Sequence, residues 1–248
     1  MAQLPSEYNL ALPVKRGATN KKAAKLVQEW LSLHGAAVKP DGAFGPATEA
    51  AVRAFQTNNG LPATGVVDAA AFNLLIAPLV RAIAPVAKLA TLGETVVAVA
   101  RQHLTEHPRE VGGQNAGPWV RYYTCGSEGE AFPWCAGFVS AILRQAAAIH
   151  GVKSPLPYTL SCDVLAAEAK KAGIFIPNKG AKGQVGAGSI FLNIRKAGAD
   201  WDHTGLVVGT SADHIETIEG NTNDDGHREG YEVCRRFRSW DKRDFAKV

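Results

Sequence analysis

The sequence predicts an α+β protein, with helices in the first two thirds of the chain and an antiparallel sheet in the last third. Before residue 173, several segments carry apolar residues every three or four positions, which is the period of a helix buried on one face. After residue 188 the pattern changes to short β-rich segments divided by glycine, aspartate and asparagine turns. Helices first and strands later is the order of an α+β fold.

The length of the chain predicts two domains of unequal size. At 248 residues it exceeds the common size of a single core. We expect a small all-α three-helix domain over residues 20–77 and a larger domain over residues 94–248. Residues 78–93 between them are alanine-rich, and Pro78 and Pro85 forbid one uninterrupted helix there. This segment is therefore predicted to be a semi-rigid linker.

The first domain shows clear helix boundaries. Asn20 can cap a helix whose inward face is formed by Ala23, Leu26, Val27, Trp30 and Leu31, and Gly35 can end it. A second helix has Pro46 in its first turn, and a third, short one spans about residues 69–76. The units DGAFGPATEAAVRAF and TGVVDAAAFNLL form a weak internal repeat of loop and helix.

These residues resemble the small three-helix peptidoglycan-binding domain of bacterial and phage wall hydrolases over residues 26–75. The likeness rests on the DGxFGxxT element from Asp41 to Thr48 and on the AVxxFQ element from Ala51 to Gln56. The second repeat departs from the family, with Thr64 where an aspartate is usual. The resemblance implies that peptidoglycan is the partner of this domain.

The segment PWCAGFVSAIL, Pro133 to Leu143, places one thiol at the start of an apolar helix in the second domain. Cys135 lies on the same stripe as Phe138, Val139 and Ile142. Unpaired amide N–H groups and the helix dipole stabilise an anion in a first turn, so this thiol should ionise readily. A cysteine in this position can also be an inert core residue. Nucleophilic chemistry requires a histidine elsewhere in the chain.

The predicted strands supply that histidine and two further polar groups. The strands are expected over residues 189–194, 203–209, 215–219 and 231–237. His203 begins the second of them, and Glu219 and Asn221 lie two residues apart at the end of the third. Residues i and i+2 share a face of a strand, so both can point toward the imidazole. Taken singly, His203 would be a solvated turn residue and Glu219 a surface charge.

Together with Cys135, these residues form an ordered Cys, His and carboxylate or amide set. A thiol nucleophile needs a base, and the base works best when a third group fixes its orientation. Glu219 and Asn221 both remain candidates for that third group. We favour Glu219, because a carboxylate stabilises the protonated imidazole and hence a thiolate–imidazolium pair.

Residues 94–237 resemble the CHAP family of cysteine-dependent amidohydrolases and peptidases, within the papain-like group that includes the NlpC/P60 wall peptidases. The segments that carry the likeness are GPWVRYY, PWCAGFVSAIL, VGAGSIFLNI, DHTGLVVG and TIEGNT. The resemblance implies a papain-like arrangement of helices packed on an antiparallel sheet. It also implies Cys135 as nucleophile, His203 as general base and then acid, Glu219 as orienting group and Asn221 as an auxiliary polar residue.

We expect no cofactor and no metal. Some relatives of this family bind calcium through an acidic loop, but the segment from Ser127 to Glu130 lacks the regular alternation of ligands. His103 and His107 have the i, i+4 spacing of a metal pair without a third ligand nearby, so both are expected to be surface residues.

Composition limits the partners and the location. A net charge of +4 favours an anionic surface such as a cell wall, but it is too small and dispersed to predict nucleic-acid binding. No apolar run is long enough to cross a bilayer, and the N-terminus lacks the pattern of a Sec signal. We expect a monomer that is made in the cytoplasm and reaches the wall by a non-Sec route, such as a phage holin or a secretion apparatus.

The predicted function is peptidoglycan hydrolysis at an amide bond of the wall peptide, by an endopeptidase or an N-acetylmuramoyl-L-alanine amidase that uses a cysteine thiolate. Two alternatives remain open at this stage. One is a non-catalytic wall-binding protein with a degenerate site. The other is a thiol peptidase that acts on proteins.

Overall fold

The computed structural model describes residues 4–196, 200–223 and 230–248 and has the predicted α+β architecture. A 3₁₀ turn at Ser6–Tyr8 precedes the helices. The helices are α1 (Lys21–Leu33), α2 (Pro46–Asn58), α3 (Ala69–Leu75), α4 (Ala77–Ile83), α5 (Leu92–Thr105), α6 (Pro118–Tyr123), α7 (Cys135–His150) and α8 (Cys162–Lys171).

The strands form one antiparallel sheet of six strands over the described residues. They are β1 (Phe175–Ile176), β2 (Ile190–Lys196), β3 (Asp200–Thr210), β4 (His214–Thr222), β5 (Glu232–Ser239) and β6 (Arg243–Ala246). Their order across the sheet is β1-β6-β2-β3-β4-β5. The helix α7 packs against β3 and β4, so its first turn lies over the strands that carry the predicted histidine and carboxylate.

Helix boundaries follow the capping residues. Asn20 Oδ1 accepts a hydrogen bond from the Ala23 amide at 3.1 Å, and Asp68 caps α3 in the same way. Thr91 and Glu94 form a capping box that starts α5 two residues before the predicted position. Local side chains therefore account for where these helices begin.

The segment predicted as a linker, residues 78–93, begins inside a helix. Pro78 lies in the first turn of α4, where a missing amide N–H costs nothing, and Pro85 follows the end of that helix. Leu79 and Ala82 are fully buried, and α4 packs against α5. The two prolines thus bound a helix, and only residues 84–91 connect α4 to α5 without regular structure.

Two further details differ from expectation. The aromatic segment before Cys135 has the glycine-rich composition of a loop, yet it contains α6, which buries Trp119 and Tyr123. His103 is not a surface residue: it is fully buried, with Nδ1 2.8 Å from Tyr123 Oη and Nε2 3.1 Å from Gln145 Oε1. Burial lowers its pKa to about 4, so the ring is neutral. His107 is exposed and pairs with Glu232.

The two halves of the chain share one hydrophobic core. A continuous cluster of buried apolar residues extends from Tyr8 to Ala246. At the junction, the Trp30 ring of α1 meets the Trp119 ring of α6 edge to face, with centroids 5.8 Å apart, and both rings are buried. The first half therefore packs directly against the second.

A partly buried ion-pair cluster lies at the same junction. The Arg121 guanidinium of α6 donates to both carboxylate oxygens of Glu29 at 3.0 and 2.6 Å, to Glu7 at 2.7 Å and to Glu128 at 2.6 Å. Lys25 also donates to Glu128, at 2.7 Å. The Glu29 side chain is fully buried, and Arg121 contacts both of its carboxylate oxygens.

We expect Arg121→Met to destabilise the whole chain by about 3 kcal/mol, because it leaves a buried carboxylate with its main partner removed. Urea unfolding followed by circular dichroism measures the shift in midpoint. Arg53→Met is the matched control, since the Arg53–Glu49 pair on α2 has the same charges but its arginine is 47 % exposed. Equal midpoint shifts for the two variants would contradict this account of the junction.

Candidate active site

Cys135 is the first residue of α7 and is buried, with 3 % of its surface exposed. Trp134 before it is anchored: its ring stacks on Tyr123 with centroids 5.4 Å apart, and its Nε1 donates to Glu110 Oε1 at 2.9 Å. The backbone N–H of Ala136 in the same turn donates to the Cys135 sulfur. The thiol is thus held at a helix N-terminus, as the sequence predicts.

His203 lies on β3 beside this thiol and is equally buried. Its Nε2 is 2.8 Å from Glu219 Oε2 on the neighbouring strand β4. Because Nε2 is engaged, Nδ1 is the ring nitrogen left for proton exchange with the thiol. This atom is buried, and the described residues provide no hydrogen-bond partner for it.

Glu219 is fully buried and accepts four hydrogen bonds. Besides His203, the donors are Thr217 Oγ1 at 2.5 Å and Arg238 Nε and Nη2 at 2.6 and 2.5 Å. Burial would raise the pKa of this carboxyl, but the hydrogen bonds and positive charges of Arg238 and His203 outweigh it and lower the pKa to about 2. The group facing the imidazole is therefore an anion at neutral pH.

Two glycines allow these elements to approach one another. A Cβ on Gly205 would lie 2.7 Å from the Glu219 Cγ, so only glycine leaves room for that carboxylate to cross from β4 to His203. A Cβ on Gly220 would lie 2.7 Å from the Phe138 Cβ of α7. The glycines in DHTGLVVG and TIEGNT thus bring the helix, the imidazole and the carboxylate together.

The electrostatic balance of the site favours a thiolate–imidazolium pair. The hydrogen bond from Cys162, followed by burial acting in the opposite direction and then by the interaction with His203, holds the pKa of Cys135 well below its ordinary value. Burial lowers the pKa of His203, but Cys135 and Glu219 outweigh it and raise that pKa to about 9. The lowered pKa of the thiol and the raised pKa of the imidazole together favour an ionised thiol beside a protonated ring.

Asn221 is placed differently from Glu219. It is buried near the end of β4, with a left-handed φ of +56°, where the pairing with β5 shifts register between Glu219 and Thr222. This bulge interrupts the regular alternation by which both side chains were expected to share a face. Glu219 is the residue seen in contact with the ring, and an auxiliary role for Asn221 stays a prediction.

Sequence reasoning missed two members of this cluster. Cys162, the first residue of α8, has its Sγ 3.9 Å from that of Cys135. Arg238 reaches Glu219 from β5, although the two residues are not paired in the strand register. The sequence signals were a cysteine directly after Ser161, a residue type that caps helices, and an arginine one residue beyond the last predicted strand. Neither signal indicates which residue would be contacted.

The described residues contain no group of three or more histidine, cysteine, aspartate or glutamate side chains arranged to hold a metal ion. The acidic loop at Glu128 is engaged in the ion pairs at the junction. Within the same described ranges, no helix combines the length and apolar character needed to span a membrane.

Comparison with known families finds a match near the start of the chain. Residues 20–75, which contain α1 to α3, match the family model described as a putative peptidoglycan binding domain. This match supports association with the cell wall. No curated protein and no solved structure matches the chain. The likeness of residues 94–237 to the CHAP family stays a prediction.

We predict that Arg238 is a positioning residue for Glu219. Arg238→Met should lower kcat for the predicted amide hydrolysis about 10-fold, less than direct loss of general acid–base chemistry would cost, because Arg238 acts on His203 only through the Glu219 carboxylate. Arg238→Lys should recover only part of the loss, since an ammonium group cannot supply the two-pronged contact.

Arg235→Met is the matched control for this prediction. Arg235 lies on the same strand and pairs with Glu216 of β4 at 2.6 Å, but its side chain is more than half exposed. Its replacement should leave kcat close to that of the parent. Full activity of Arg238→Met, or equal losses in the two variants, would rule out a positioning role.

Proposed function

We propose that this protein is a peptidoglycan hydrolase that cleaves an amide bond of the wall peptide through the Cys135 thiolate. The observation that carries the proposal is a buried cluster in which the Cys135 thiol lies beside His203, and His203 Nε2 is 2.8 Å from Glu219 Oε2. A match to a peptidoglycan-binding domain in the same chain favours the wall as the substrate.

The proposed chemistry is acyl transfer. The Cys135 thiolate attacks the amide carbonyl carbon, and the developing oxyanion is stabilised by backbone N–H groups in the first turn of α7 and by the helix dipole. His203, protonated in the resting pair, gives its proton to the leaving amine as the C–N bond breaks. The product of this half is a thioester on Cys135.

Hydrolysis completes the cycle. With its proton spent, His203 acts as a base and takes a proton from water while the water oxygen attacks the thioester carbon. The C–S bond breaks, the carboxylic acid leaves, and the thiolate–imidazolium pair is restored. Glu219 stays ionised throughout and stabilises the imidazolium form whenever it appears.

The binding domain has a specific role in this proposal. On an insoluble polymer, attachment raises the local concentration of scissile bonds, so a weak binding domain still contributes. Because Trp30, Trp119 and the Arg121 cluster join the two halves, the wall would be held at a fixed position relative to Cys135. This differs from a domain tethered by a flexible linker.

The test is product analysis on purified peptidoglycan. An amide hydrolase releases new amino groups without new reducing sugar ends, and mass spectrometry of the muropeptides identifies the bond. Cleavage between muramic acid and alanine would define an amidase, and cleavage within the stem or cross-bridge an endopeptidase. Binding without release would favour a non-catalytic wall protein, and cleavage of denatured proteins but not of walls would favour a protein peptidase.

A further inference from the structure

The Cys135–Cys162 pair is a feature that the proposed hydrolysis does not use. The two sulfur atoms are 3.9 Å apart and both residues are buried, although 27 positions separate them in the chain. Each is the first residue of a helix, α7 or α8. The other two cysteines differ: Cys125 is exposed, and Cys234 is on β5.

The two thiols have unlike environments. Cys135 has the imidazole of His203 beside it, whereas Cys162 is close to the Cys135 sulfur and to the carboxylates of Asp163 and Asp202. The neighbouring sulfur, burial and these carboxylates all raise the pKa of Cys162. The pair is therefore a thiolate next to a thiol that retains its proton.

We propose that Cys162 is a resolving thiol, which captures oxidised Cys135 as a Cys135–Cys162 disulfide and so switches the site off reversibly. The oxidant is a peroxide. This inference deepens the proposed function. Only its expected loss and recovery of hydrolysis rest on that function. Formation of the disulfide itself requires the two sulfurs and not the hydrolytic activity.

The chemistry proceeds in two steps. The Cys135 thiolate attacks one peroxide oxygen, so the O–O bond breaks, the sulfur is oxidised by two electrons to a sulfenic acid, and the second oxygen leaves and takes up a proton. The Cys162 sulfur then attacks the sulfenic sulfur. An S–S bond forms, the S–O bond breaks, and hydroxide leaves with the Cys162 proton as water.

The two sulfur atoms need to move only a short distance for this condensation. A disulfide requires sulfurs about 2.05 Å apart, so the gap of 3.9 Å must close by roughly half. Residues 151–161, which join α7 to α8, contain neither helix nor strand. The start of α8 can therefore approach Cys135 without breaking the sheet or shifting α7.

The test uses the full chain treated with hydrogen peroxide and mapped by non-reducing trypsin digestion. Cys125 and Cys135 fall on one tryptic peptide, from residue 122 to 144, so a Cys125→Ser parent makes the assignment unambiguous. We expect this peptide to be linked to the peptide of residues 154–170, which carries Cys162. Hydrolysis of peptidoglycan should fall at least about 10-fold and return after treatment with a dithiol.

Cys162→Ser and Cys162→Ala in the same parent are the decisive variants, each compared with its own untreated activity after circular dichroism confirms folding. Without the resolving thiol, Cys135 should pass to sulfinic acid, and a dithiol should not restore activity. Cys234→Ser should behave like the parent. Absence of the linked peptide, or full recovery of a folded Cys162 variant, would overturn the proposal. A linked peptide in a protein that never hydrolyses peptidoglycan would instead refute the proposed function alone.

Discussion

Replacing Cys135 with serine should reduce the release of peptidoglycan fragments by about 10⁴-fold or more while leaving folding and binding to sedimented walls unchanged. The reason is that a serine hydroxyl is not ionised by the interactions that favour the thiolate here. The hydrogen bonds from Cys162 and the Ala136 amide and the charge of His203 lower the pKa of a thiol, whose ordinary value is about 8.5 and already close to the physiological range. The same interactions do not bring an alcohol into that range.

The comparison variants are Cys125→Ser and Cys234→Ser, which change one exposed and one buried thiol outside the proposed site. Both should retain most of the parent activity. Release of soluble amino groups measures the chemistry, and co-sedimentation with walls measures the binding domain separately. If Cys135→Ser remains active while either comparison variant is inactive, the nucleophile has been assigned to the wrong residue.

The helices of the first half were predictable because each carries its own local signals. Asn20, Pro46 and Asp68 mark three starts, and the apolar period marks the buried faces. The same holds for α7, whose stripe begins at Cys135. Elements with weaker signals were missed: β1 and β6 contain only two and four residues, too few for a pattern to develop.

The site was only partly predictable, for a physical reason. Cys135, His203 and Glu219 were found because one starts an apolar helix and the others lie at the ends of β-rich segments. Cys162 and Arg238 enter the cluster through tertiary packing, from a loop-connected helix and from a strand whose register no local pattern specifies. The junction was missed likewise, because nothing near Arg121 indicates that its partner is Glu29, 92 residues earlier.

The last prediction concerns Glu219, whose replacement by alanine should lower kcat by about 10²-fold or more, within the range that general acid–base positioning supplies. Two effects act together. The imidazole loses the contact at 2.8 Å that fixes its orientation, and the cation of Arg238 is left without its carboxylate in the vicinity of His203. The loss should fall on kcat rather than KM, measured on a soluble stem-peptide substrate.

The pH dependence of the activity distinguishes two roles of Glu219: orienting the imidazole and stabilising its positive charge. Raising the pH through the His203 pKa of about 9 removes the proton that the leaving amine needs, so the parent activity should decline on the alkaline side near that value. Glu219→Gln keeps the size of the side chain and removes the charge that stabilises the imidazolium. The alkaline decline in the activity of Glu219→Gln, its alkaline limb, should therefore occur at lower pH than in the parent. An unchanged limb would show that Glu219 acts by orientation alone.

Two matched variants complete this test. Glu216→Ala removes a carboxylate from the same strand, where it pairs with Arg235 outside the proposed site, and should leave kcat close to the parent value. Asn221 is best replaced by glycine, because its φ of +56° would strain an alanine. Asn221→Gly should cost less than Glu219→Ala, since a neutral amide adds little charge stabilisation to the imidazolium. A larger loss for the folded Asn221→Gly variant would transfer the orienting role from the carboxylate to the amide.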